Sequence, residues 1–182
     1  MARVPDMTVD TLKEADRDLL KRNIALHRAL TNSPNAARAF SGLGQFIRFK
    51  SVLDSRLREM AILQVGWLAR SAYEWSHHVK IGMEFGVTDD DIRALIAESA
   101  GLDTALEPVA KLVLLAAREA YAGPGVSEPT FEALRAHFDH ERLVDLVMVI
   151  AFYCAVVRVL ASLDIRVEPE YQPYLDKYPL PA

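Results

Sequence analysis

Apolar and polar positions follow a helical period almost throughout the chain, and no stretch keeps the two-residue alternation of a strand. A first helix is predicted from Asp10 or Thr11 to about Thr31. Ser33 and Pro34 then read as an N-cap and first helical residue, opening a second helix towards Phe46. Asp54 or Ser55 caps a third, "RLREMAILQVGWLAR", which after Glu59 is apolar nearly all round, with only Gln64 interrupting before Arg70. Such a helix is predicted to be buried. A fourth opens at Ser71 and stops at Gly86. Thr88 caps a fifth whose first turn holds three aspartates, where the helix dipole favours them, and Gly101 ends it. A sixth spans about Leu106–Tyr121 and breaks at "GPG". Ser127 caps a seventh, and Asp139 a long eighth reaching about Leu163. The tail "VEPEYQPYLDKYPLPA", with four prolines and three tyrosines, is predicted to be extended across the domain or a neighbouring subunit.

The predicted fold class is therefore all-α, with about eight helices. The length suits one domain over residues 1–182: N-terminal helices in 1–50, the motif-bearing helices in 55–100 and the tail in 165–182. Hydrophobic residues make up 51% of the chain, enough for a sizeable core, and the net charge is −4. No basic stripe exists, so no nucleic-acid partner is expected. The one cysteine, Cys154, cannot form an internal disulfide. It reads as a small buried hydrophobe, and this usage fits a reducing cytoplasm. The N-terminus lacks the apolar region of a secretory signal. The clean apolar run Leu146–Val157 is too short to span a bilayer and is flanked by Asp145 and Arg158, so no membrane is expected.

The candidate chemistry concentrates in "SAYEWSHH", Ser71 to His78. On a helical wheel Trp75, Val79, Gly82 and Met83 share one arc, and Tyr73, His77, Lys80 and Glu84 the opposite, polar one. Glu74 and His78 share a stripe at i and i+4. His78 is predicted to point inward beside Glu74, His77 and Tyr73 to face solvent, and Trp75 to join the core. Glu74 has two open readings. Ser71-x-x-Glu74 is a capping box, and a carboxylate beside a desolvated imidazole also tunes a general acid/base. His78 is either a tied core histidine or that acid/base. Glu59, at the mouth of the buried third helix, shares a stripe with Ile62, Leu63 and Gly66. The glycine points to a close helix approach. Glu59 is either a first-turn acid paired with Arg56 or Arg58, or a functional carboxylate.

These residues carry a resemblance. "RLREMAILQVGWLARSAYEWSHHVKIGMEFGVTDDDIRAL", about Arg56–Leu95, resembles the carboxymuconolactone decarboxylase family, which includes the alkylhydroperoxidase-D-like (AhpD-like) proteins. "HFDHERLVDLVMVIAFYCAVVRVLASL" resembles the long C-terminal helix of its longer members. The resemblance implies an all-α fold that assembles as dimers, trimers or hexamers. Its peroxidase-like branch uses a Glu, a Cys-x-x-Cys and a His. Here the Glu and His are Glu59 and His78, but the cysteines fall on Ser71 and Glu74. Neither can make a disulfide, so thiol peroxidase activity is not implied. The decarboxylase branch uses no thiol pair and no cofactor, which leaves His78, Glu74 and Glu59 as the implied catalytic set of a lyase.

Three functional readings follow. The first is a cofactor-independent acid/base enzyme acting on a small lactone or unsaturated carboxylic acid by decarboxylation, isomerisation or hydrolysis. Its anionic substrate needs a cation, for which Arg56, Arg58 and Arg70 are the candidates, with Ser71 and Tyr73 as further substrate-binding residues. Ser71 as a nucleophile is disfavoured by about 10 Å of helical rise to His78. The second is a metal-dependent hydrolase using Glu59, Glu74 and His78. The third is a non-catalytic oligomeric assembly protein in which the same residues form a buried network.

Overall fold

The computed structural model describes residues 2–181, and no strand occurs among them. Nine α-helices follow in order: α1 Ala25–Leu30, α2 Pro34–Phe49, α3 Ser55–Leu68, α4 Ala72–Glu84, α5 Asp89–Ser99, α6 Pro108–Ala122, α7 Glu128–Arg135, α8 His140–Leu163 and α9 Gln172–Lys177. The all-α expectation holds.

The centre is α3. Every residue from Leu57 to Gly66 is buried, polar Arg58, Glu59 and Gln64 included. Asp54 caps it, its carboxylate accepting from the Leu57 amide at 3.0 Å. α4, α5, α6 and α8 all pack against it. The α3–α4 crossing needs small residues. A Cβ on Gly66 would sit 3.3 Å from the Trp75 amide nitrogen, and one on Gly82 would sit 3.2 Å from Val87 Cγ2 and 3.6 Å from Glu59 Cβ. This close approach brings Glu59 of α3 against α4, as the glycine on its stripe suggested.

The N-terminus departs from expectation. In place of one helix from Asp10 to Thr31, the chain forms 3₁₀ turns at Val9–Thr11 and Glu14–Leu20, runs extended at Ile24, and then enters α1. Within residues 9–20 only Leu12 and Leu20 are buried, too little apolar surface to hold a long helix. Asp16 and Asp18 instead tie the segment to Arg38 of α2.

The tail also differs. Instead of running extended it winds a 3₁₀ turn at Pro169–Tyr171 and then α9, both packed on α4. Pro169 and Pro173 sit at helix starts, where a fixed φ favours entry. Trp75, fully buried as expected, donates its indole N–H to the Tyr178 carbonyl at 2.8 Å, and the Tyr178 hydroxyl bonds Asp89.

The 24-residue α8 corrects the reading of Leu146–Val157 as too short to span a bilayer. The helix continues through both flanking charges, and by length and composition it is long and apolar enough to cross. In the fold it packs on α3, α6 and α7, while Val144, Val147 and Met148 face outward. Cys154 is half-buried rather than buried, at an apolar groove with Pro124 and Val126.

Candidate functional site

α3 and α4 bring Glu59, His78 and Glu74 together, and all three are buried. His78 Nδ1 lies 2.7 Å from Glu59 Oε2, and its Nε2 lies 3.0 Å from Glu74 Oε1. The second contact is an ion pair, and Glu74 Oε1 makes no hydrogen bond among the described residues. Behind Glu59, Arg58 donates from Nε and Nη2 to Glu59 Oε1 at 3.1 and 3.0 Å. Its Nη1 also reaches the Arg48 carbonyl at 3.3 Å, and its guanidinium lies over the Phe85 ring. The cluster holds two cations and two carboxylates, and so is neutral when all four are charged.

Burial alone would push the His78 imidazole towards neutrality. Glu74 and Glu59 outweigh it and raise the pKa to about 9, so His78 is an imidazolium at pH 7. Burial works against the Glu59 carboxylate too, and His78 and Arg58 hold it below its ordinary value.

The Ser71–Glu74 capping box forms by half. The Ser71 hydroxyl accepts from the Glu74 amide at 3.4 Å, but the Glu74 carboxylate turns towards His78 rather than back to the cap.

His77 corrects the wheel. It is only 2% exposed, not on a wet face. Its ring stacks between Tyr73 and Tyr171, with centroids 4.1 and 3.5 Å away, and Nε2 lies 2.9 Å from Glu168 Oε2. The other Glu168 oxygen accepts from the Ala25 amide at 2.6 Å, which ties the tail to the start of α1. Burial lowers the His77 pKa further than Glu168 raises it, so this ring is neutral at pH 7 and donates from Nε2. Burial opposes ionisation of Glu168 as well, but His77 and the Ala25 amide bring its pKa down to about 2. Tyr73, expected outside, is buried: its hydroxyl accepts from the Leu26 amide and donates to Glu168.

A cavity of about 280 Å³ lies between the N-terminal segment and the α4–α8 face. His78, Glu74, His77, Tyr73 and Tyr153 line its inner end, while Gln45 and Phe49 are exposed at its edge. Glu59 stands behind His78 and does not line it. The expected substrate-binding Arg70 and Ser71 line a different cleft, with Leu160 and Arg166. Arg56 is engaged by Asp91 and Glu107, and Arg58 by Glu59. The cations that do line the cavity are Arg22 and Arg48. Sequence reasoning missed them, as it missed Tyr153 and Glu168. Tyr153 left one signal, a hydroxyl inside an otherwise apolar run.

Among the described residues no group of three or more His, Cys, Asp or Glu side chains is arranged to hold a metal. Both nitrogens of His78 face carboxylates, and an imidazolium has no lone pair to offer. Cys154 faces the groove on the other side of α8 from the cavity, and burial raises its thiol pKa.

A family model described as the carboxymuconolactone decarboxylase family matches residues 34–122. That match, over just under half of the chain, supports the carboxymuconolactone decarboxylase family. The matched span contains Glu59, Glu74 and His78, while Arg22, Tyr153 and Glu168 lie outside it. No curated protein matches the chain by sequence. Several solved structures share the fold. A peroxidase-related protein with the alkylhydroperoxidase AhpD core, from Ralstonia eutropha JMP134, is 21% identical with a TM-score of 0.79, covering 96% of this chain and 95% of that one. The debrominase Bmp8, solved with 2,3,4-tribromopyrrole, is 18% identical with a TM-score of 0.70, covering 91% and 94%. The protein ATU0492 from Agrobacterium tumefaciens, of unknown function, is 21% identical with a TM-score of 0.66, covering 76% and 94%.

Proposed function

We propose that this protein is a cofactor-independent acid/base enzyme acting on a small lactone or unsaturated carboxylic acid, and not a thiol peroxidase. The observation that carries the reading is a buried histidine, His78, held between two carboxylates at the wall of a cavity. Glu59 fixes the ring through Nδ1 and keeps the proton on it. Nε2–H is the donor beside Glu74, and the Glu74 oxygen ion-paired to it, which makes no hydrogen bond among the described residues, is an acceptor; both residues line the cavity.

A donor and an acceptor side by side suit proton relocation on carbon. In an isomerisation Glu74 takes the proton from one carbon and His78 delivers one to another. In a decarboxylation the bond to the leaving carboxylate breaks, CO2 departs, and the electron pair left on the enolate-like carbon takes the proton from Nε2; solvent then reprotonates His78. A positioned acid contributes about 10²–10⁴-fold. The cavity at His78 favours this reading over a purely structural network. The planar tribromopyrrole bound by Bmp8 is in keeping with a flat ring compound against the aromatic wall of Phe40, Phe152 and Tyr153. The absence of a thiol from the cavity wall argues against peroxidase chemistry here.

The test is a panel of lactones and unsaturated acids incubated in D2O and followed by proton NMR. Wild type is expected to turn over or deuterate one class, and His78→Ala and Glu59→Gln to lose that activity. Full activity in His78→Ala, or activity that depends on Cys154 instead, would contradict the proposal.

A further inference from the structure

The cavity holds polar groups that the acid/base cluster leaves unused. Arg22 and Arg48 are half-buried in its lining, and neither forms an ion pair among the described residues. Arg48 has only a ring contact at 6.0 Å to Phe49, while its backbone is held by Arg58. Elsewhere Arg28, Arg38, Arg56 and Arg58 all find carboxylates.

Tyr153 is only 8% exposed and lines the same cavity, yet its hydroxyl makes no hydrogen bond among the described residues. Its ring meets His78 edge-on, with centroids 5.0 Å apart. A buried tyrosine hydroxyl ordinarily finds a partner.

Tyr153 feels both sets of charges. Burial raises its pKa, Glu74 and Glu59 push it further up, and Arg48 and Arg22 pull it down. It therefore stays a neutral O–H donor. His27, also on the wall, is lowered by burial and by both arginines, so it does not neutralise them. The cavity lining therefore carries the His78–Glu74 ion pair and, besides it, two arginines that have no carboxylate partner among the described residues.

We infer that Arg22, Arg48 and Tyr153 form the anchoring site for a carboxylate of a flat, ring-bearing acid, with the ring packed against the Phe40–Phe152 pair that lines the cavity. This rests on the proposed acid/base function and adds a polarity to it. The anchored carboxylate lies at the arginines and is retained, and the reacting carbon is another atom of the substrate, turned towards His78. Any carboxylate lost in a decarboxylation is then a second one, away from the arginines.

The experiment is calorimetric titration of the full chain with benzoate and with its uncharged isostere benzamide. Wild type is expected to bind benzoate at least about tenfold more tightly than benzamide, the scale of one charge-assisted hydrogen bond. Arg48→Gln and Arg22→Gln are each expected to weaken benzoate about tenfold and leave benzamide unchanged. Tyr153→Phe is expected to weaken benzoate by a smaller factor. No saturable binding of benzoate to wild type, equal binding of the two probes, or a preference that survives both arginine substitutions would overturn the inference. The two proposals fail separately. Arginine-dependent benzoate binding in a protein that moves no protons counts against the enzyme reading alone, and His78-dependent turnover with unselective binding counts against the anchor alone.

Discussion

His77 and His78 are consecutive, both are buried, and each faces a glutamate, yet they hold opposite charge states. His78 lies between two carboxylates and stays protonated to about pH 9. His77 has one carboxylate and is sandwiched between two aromatic rings, and burial lowers its pKa. For His77, burial together with the neighbouring His78 outweighs the carboxylates; for His78, two carboxylates in contact outweigh burial. The same helix therefore presents a charged acid to the cavity and a neutral hydrogen-bond donor to the tail.

The largest effect is expected from removing the charged member. His78→Ala should cut turnover by about 10²–10⁴-fold, measured on whichever substrate the panel identifies, while the helical circular dichroism signal stays. Next, Glu59→Gln takes away one carboxylate and leaves Arg58 and His78 facing each other. It should cost about 3–5 kcal/mol in denaturant unfolding, as breaking a buried ion network does.

Third is the pH dependence of wild-type stability. The folded-state pKa of His78, about 9, lies above its ordinary 6.5. Its stabilisation is complete below pH 6.5 and is lost as pH rises through 9, by about 3 kcal/mol in all. Unfolding midpoints from pH 6 to 10 check this, and Glu59→Gln should flatten the slope. His77 carries the opposite sign: its depressed pKa favours the fold above pH 6.5 and less as pH falls. The smallest effect is at its partner. Glu168→Gln should cost about 1–3 kcal/mol and raise protease sensitivity in the tail, with turnover changing far less than in His78→Ala.

The same pair shows what was legible in the sequence. Glu74 and His78 are four residues apart on one helix, so local geometry puts them together. Glu59 follows from a polar residue on an otherwise apolar buried helix, with Gly66 marking the close crossing. His77 was misread because the groups that bury it, Glu168 and Tyr171, lie more than 90 residues away in the tail. A helical wheel sees only its own helix, and a polar arc can be covered by polar partners. Arg22 and Arg48 were illegible for the same reason: their place is set by how the N-terminal segment folds over α4 and α8. That segment itself follows its ion pairs to Arg38 rather than its helical propensity.

The charge state of His78 is the point on which the site depends, and nitrogen-15 NMR of the imidazole rings reads it directly. In wild type at pH 7.5 both His78 nitrogens should show the shifts of protonated imidazolium, titrating near pH 9, while His77 shows one protonated and one bare nitrogen. A neutral His78 at pH 7.5, titrating below 6.5 alongside His77, would contradict a buried acid held between Glu59 and Glu74.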